Sequence, residues 1–137
     1  INCAEHDADS CTDFVNEHSC YSHEELSDRL ENKFSRITLV NKNKTERLTI
    51  DTGLKFHNFH TGKICGLDDL VIIELKRGGN VFSPISEMFR ALHIHPAKFS
   101  KYCMGMALSD DCLRKNRFKP RLKMIEKMCE VQEYSEF

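Results

Sequence analysis

The sequence predicts an α+β domain, an antiparallel sheet with helices beside it. Three observations carry this. Apolar and polar residues alternate through 34–56 and 69–77, the period of a strand. Helical spacing and capping residues appear on both sides of those stretches. The length, 137 residues, suits one domain with one core and is too short for two.

Taken in order, residues 1–11 are polar and read as a poorly ordered segment or linker before a domain over 12–137. "TDFVNEHS" (12–19) and "SHEELSDRLENKF" (22–34) read as short helices. Ser22 caps the second, and Glu25 completes a capping box. Then the period changes. "FSRITLVNKNKTERLTIDTGLKF" is two β-rich runs around "NKNK", a hairpin. Arg36, Thr38 and Val40 share one face of the first run, with Ile37 and Leu39 on the other. In the second run Arg47, Thr49 and Asp51 lie opposite Leu48 and Ile50. Thr52-Gly53 and Thr61-Gly62 mark turns, which leaves "LKFHNF" between them as a candidate further strand.

"DLVIIELKR" (69–77) puts Val71, Ile73 and Leu75 on one face and Ile72, Glu74 and Lys76 on the other. A helix follows in "SPISEMFRALHI", with Ser83 as cap and Pro84 at its first position. Pro96 interrupts the chain, and helical spacing resumes at Phe99, Tyr102, Cys103 and Met106. The last helix, "PRLKMIEKMCEV", places Leu122, Ile125 and Cys129 on one side.

Composition excludes some function classes. No apolar run approaches the roughly 18 residues of a membrane span. Nothing resembles a signal peptide, so the chain is expected in the cytoplasm; beginning on Ile1, it reads as a processed or truncated chain. Seven cysteines without a CxxC pair read as reduced, mostly buried thiols. Seven histidines offer no second ligand pair at finger spacing, so a structural zinc site is not expected. Net charge is −1, but residues 1–31 are acidic and 112–127 basic, so a polyanion-attracting surface is compatible with it.

The residues that could carry chemistry lie on the strand faces and in "HPAKFSKYCMGMALSDD" (95–111). Each strand has an apolar face and a face bearing charge: Arg36, then Arg47 with Asp51, then Glu74 with Lys76. The ordinary arrangement puts the charged face in water. The alternative is a closed or nearly closed barrel with that face inside, where arginine and lysine suit phosphate and an inward glutamate suits a hard divalent cation. Lys98 and Lys101, three residues apart, would share a helix face, with Ser100 near the helix start, where anions are favoured. The bland reading of Glu74 is an ion pair with a neighbouring strand. Met104, Met106 and Met124 read as core, and His93 and His95 as surface or packing groups.

Read together, "FSRITLVNKNKTERLTIDTGLKF", "LVIIELKR" and "HPAKFSKYCMGMAL…NRFKPRLKMIEK" resemble the VTC domain, the polyphosphate-polymerase module of vacuolar transporter chaperone proteins and a branch of the triphosphate tunnel metalloenzymes. The likeness is greater to the bacterial type and spans about Asp13 to Met128. It implies an antiparallel sheet forming the C-terminal half of a tunnel-type β-barrel. It also implies transfer of the terminal phosphate of a nucleoside triphosphate to a polyphosphate chain, with Mn or Mg as divalent cation. Arg36, Arg47 and Lys101 take the catalytic positions. Arg36, Arg47, Lys76, Lys98, Ser100 and Lys101 take the phosphate-binding ones, and Glu74 the metal-binding one. The basic residues of the N-terminal half have no counterpart here, so a longer natural protein or a second chain is expected to complete the tunnel. Rival readings are a triphosphate or polyphosphate hydrolase and a non-catalytic polyanion-binding module. A nucleic-acid binder is not expected, because the basic run of 114–127 lacks a recognition motif and interleaved aromatics.

Overall fold

One long strand organises the chain. In the computed structural model, which describes residues 8–79 and 82–137 and side chains from Thr12 onward, "ERLTIDTGLKFHN" runs unbroken as β2, Glu46–Asn58. β1 (Leu30–Val40) pairs antiparallel along one edge of it. Along the other edge β4 (Ile72–Arg77) pairs with its first half and β3 (Ile64–Leu67) with its second. β5 (Gln132–Tyr134) adds to β3. The helices are α1 (Ala8–His18), α2 (Pro84–Ala91), α3 (Lys101–Ser109) and α4 (Lys119–Met128). The α+β class and the antiparallel pairing are as the sequence predicts. No closed barrel forms among the described residues: the sheet is open, with β1 and β4 each bonded to β2 alone. Residues 1–7, most of the expected linker, lie outside the described ones, and so do the side chains of Cys3, His6 and Cys11.

The hairpin at 41–45 forms as expected, but Thr52-Gly53 is no turn. Lys33 pairs with Lys55 and Ser35 with Thr52, so Phe34 faces both Gly53 and Leu54. This is a β-bulge, and Gly53 at φ 62° supplies the left-handed conformation it needs. A glycine of positive φ serves a bulge as readily as a turn, which is why "TG" misleads. The extra residue has a consequence for the site. It brings Leu54, Phe56 and Asn58 onto the same face as Asp51, so an ionic patch and the apolar core share one surface.

The helix expected over 22–34 does not form. It shrinks to a 3-10 turn at His23–Glu25, where Glu25 Oε2 accepts the Ser22 backbone N–H at 2.8 Å. Leu30 and Phe34, spaced as on a helix, are also same-face residues of a strand, and pairing with β2 decides between the two.

Leu54, Phe56, Cys65, Leu67, Met104 and Ile125 are fully buried and form the centre of the core. α2 carries the expected cap: Ser83 Oγ accepts the Ser86 N–H at 3.1 Å. In α4, Ile125 and Cys129 are buried and Leu122 packs beside them. Some expected core residues are not core: Met124 and Tyr102 are exposed and Met106 is half-buried. Of the cysteines, Cys65 and Cys129 are buried, and burial pushes both thiols up. Cys20 and Cys112, by contrast, are exposed. His93 and His95 are exposed.

α3 is pinned to the sheet at its far end by a buried polar latch. Asn58 Nδ2 donates to Ser109 Oγ at 3.0 Å, and Ser109 Oγ donates to the Gly105 carbonyl at 2.7 Å. Asn58 Oδ1 accepts the backbone N–H groups of His60 and Thr61 in the turn after β2. That turn, with Gly62 at φ 69°, is the one expected at Thr61-Gly62.

Candidate functional site

The register sets three rows across β1, β2 and β4 on one face. They are Arg36, Asp51 and Ile72; Thr38, Thr49 and Glu74; and Val40, Arg47 and Lys76. These are the face assignments expected from alternation. The first and last rows are four residues apart on β2, about 13 Å at strand rise. What alternation leaves open, the helix decides. α3 covers the near end of this same charged face, while Ile37, Leu39 and Ile73 on the opposite face are exposed. The charged face is therefore split: α3 covers it at the Asp51 end, while Arg47, Glu74 and Lys76 at the other end stay exposed, as in the ordinary arrangement.

Asp51 is the centre of the first row. It is 1 % exposed. Arg36 grips it with two hydrogen bonds, Nε to Oδ1 at 2.6 Å and Nη2 to Oδ2 at 2.8 Å. Lys101, the first residue of α3, donates from Nζ to Oδ2 at 2.5 Å. Both cations also lie over the ring of Phe34, Arg36 Cζ at 5.0 Å and Lys101 Nζ at 4.5 Å from its centroid. Hydrogen bonding from Arg36, reinforced by Lys101 and working against burial, holds the Asp51 carboxyl down at about 2. The same bond raises the Arg36 guanidinium above its ordinary value.

Linkage gives the sign. A carboxyl lowered from 3.8 to about 2 on folding stabilises the native state above pH 4 and loses that contribution as pH falls toward 2. At neutral pH it is worth about 2 kcal/mol. Acid-dependent thermal unfolding of the protein should therefore show a midpoint that drops steeply between pH 4 and 2. An Asp51→Asn variant should show a flatter curve there.

The other expected site residues are placed as follows. Arg47 is exposed and, among the described residues, has no ion-pair partner. Lys76 Nζ lies 3.3 Å from Glu74 Oε1, both half-exposed, so the ion pair Glu74 makes is within its own strand and not with the neighbouring strand considered for it. Ser100 is the N-cap of α3, its Oγ accepting the Cys103 N–H at 3.3 Å. Lys98 precedes that cap in an irregular segment and is exposed, so it shares no helix face with Lys101. Serine is the favoured N-cap residue, a signal that places the helix start one residue after Ser100 and leaves Lys98 outside it. Asp51 and Phe34 are the residues that sequence reasoning passed over. Parity put Asp51 on the face of Arg47 without showing that Arg36 and Lys101 would both close on it.

Among the described residues no group of three His, Cys, Asp or Glu side chains could hold a metal ion. One feature of the middle row suits a hard cation all the same. The Thr49 Oγ1 atom, beside Glu74, is buried with no hydrogen-bond partner. One carboxylate and one hydroxyl do not make a protein-only site. They do fit a divalent ion that keeps phosphate oxygens as its other ligands. No helix of the described residues is long and apolar enough to cross a membrane.

A family model, the VTC domain, matches residues 4–109. The matched span holds every residue of the charged face and ends with α3. It therefore stops before "NRFKPRLKMIEK" and is shorter at that end than the expected reach to Met128. No curated protein and no solved structure matches the chain significantly. Three charged strands and a capping helix within a match over most of its length place the chain in the VTC domain family.

Proposed function

We propose that this chain supplies one cation-lined wall of a VTC-type tunnel, in which the terminal phosphate of a nucleoside triphosphate is transferred to a polyphosphate chain. The observation that carries the reading is the shared face: Arg36 and Lys101 meet at one end, and Arg47 and Lys76 stand about 13 Å away along β2. A linear polyanion suits cations strung out along a strand, whereas a single phosphate would meet only one end of them.

Phosphoryl transfer asks for positioning and charge neutralisation rather than a protein nucleophile. Arg36 and Arg47 present N–H donors in a fixed fork, and Lys76 and Lys98 supply positive charge without a rigid geometry. Ser100 keeps its hydroxyl proton for donation while its oxygen caps α3. Glu74 and Thr49 would hold a divalent cation, Mn or Mg, which when bound adds neutralising charge at the transferred phosphate. The free edges of β1 and β4 are where the other half of a tunnel, from a longer protein or a second chain, would pair.

Incubation with ATP and manganese, followed by gel staining for long polyphosphate, tests the reading. Chains that lengthen with time are expected. Free phosphate as the sole product would replace transfer by hydrolysis. Salt-sensitive tripolyphosphate binding without any product would leave a polyanion-binding module.

A further inference from the structure

The most fully bonded side chain of the charged face is its one buried anion. Asp51 spends both carboxylate oxygens on the face's own cations. By charge alone this is a poor feature for a phosphate site, since a fixed negative charge opposes an incoming polyanion. Its geometry has a different meaning. Arginine has five N–H donors and Asp51 takes two, leaving three; lysine has three and Asp51 takes one, leaving two. The side chains of Arg36 and Lys101 remain 41 % and 21 % exposed, which leaves room for the unused donors to meet a ligand on the open face. Phe34 supports both cations from the side of the core, which removes the other direction in which they could swing. Asp51 is itself buried in the middle strand, and α3 is tied at its far end by the Asn58–Ser109 latch.

We propose that Asp51, backed by Phe34, is a positioning residue that holds Arg36 and Lys101 in the orientation that receives phosphate oxygens. The inference rests on the reading of this face as a phosphate site and deepens it. Two long side chains that would otherwise lose rotamer freedom on binding are ordered beforehand, and preorganisation of this kind raises affinity. Asparagine at this position keeps the shape but turns one acceptor into a donor aimed at a cation. It should release one or both heads.

The test exploits opposite signs. Asp51→Asn removes one negative charge from the face, so simple attraction makes tripolyphosphate bind more tightly. Positioning makes it bind more weakly, by about tenfold if one charge-assisted contact is lost. Calorimetric titration of tripolyphosphate into the intact protein should give that loss for Asp51→Asn and partial recovery for Asp51→Glu. Phe34→Leu, which keeps an apolar side chain at the core, should weaken binding by a few fold. Equal or tighter binding by Asp51→Asn, with wild-type binding intact, overturns this inference alone. No binding by wild type overturns the reading of the face and the inference with it. A variant that fails to fold leaves a second measurement, made on wild type without ligand. Arg36 Nε–H should exchange slowly with solvent, and exchange at the rate of a free arginine overturns the inference.

Discussion

Gly105→Val lowers the stability of the domain by about 4 kcal/mol. α3 lies so close to the sheet that a β-carbon at Gly105 would sit 2.5 Å from Phe56 Cδ1 and 2.6 Å from Leu30 Cδ2. Leu30 is at the rim and can shift. Phe56 is fully buried between Leu54 and the residues of β3, so its ring has no space to retreat into. Overpacking of a tight core costs about 1–3 kcal/mol, and valine adds two further methyl groups to an already impossible contact. A loss of about 4 kcal/mol is expected, a large share of the 5–15 kcal/mol typical of a domain. Gly105→Ala should be milder, because alanine recovers up to about 1 kcal/mol of helix propensity. Urea unfolding measures both, and an unchanged midpoint for the valine variant would mean that α3 does not pack as described. The effect also reaches the site. Lys101 is one turn before Gly105, so a helix lifted from Phe56 takes its ammonium group away from Asp51.

Removing Arg47 and Lys76 together should separate binding from stability. Neither is buried, and among the described residues Lys76 has one ion pair, with the half-exposed Glu74, so surface ion-pair energetics predict a stability within about 0.5 kcal/mol of wild type. Each cation that contacts a phosphate oxygen contributes about 1.5–3 kcal/mol as a charged hydrogen bond in favourable geometry. Both side chains are exposed to water, which argues for the low end. The double alanine variant should therefore bind tripolyphosphate roughly 100-fold more weakly, with a shallower dependence on salt because fewer counterions are released. Titration at three salt concentrations gives both quantities. Unchanged affinity would confine the phosphate site to the Arg36 end of the face and shorten the ligand it can take.

How much of this could be read from the residues follows from which patterns survive folding. Strand alternation survives pairing, so the charged face of each strand, with Arg36, with Arg47, and with Glu74 and Lys76, was legible before any register was known; that the three coincide came from the register. Alternation says nothing about which face the core takes. That depended on α3, and on a bulge at Gly53 that looks in sequence like a turn. Leu30 and Phe34 satisfy helix and strand spacing equally, and only β2 opposite them breaks the tie. β3 and β5 are too short, and in β3 too glycine-interrupted, to carry a periodic signal. Asp51 was visible as a charge but not as a centre, because its two partners come from β1 and from a helix fifty residues later. The helix face expected to hold both Lys98 and Lys101 does not form for a simpler reason: Ser100 ends the irregular segment, and a cap residue marks where shared helical faces begin.

The central claim is that Arg36, Lys101, Arg47 and Lys76 bind a phosphate chain on one continuous face. Side-chain nitrogen NMR during a tripolyphosphate titration tests it most directly, since arginine Nε and lysine Nζ signals report on individual cations. The account predicts that the signals of these four residues move together and saturate at one ligand per chain, while Arg90, paired to Glu87 on α2, does not respond. Shifts confined to the basic residues of α4, with Arg36 and Lys101 unmoved, would contradict it.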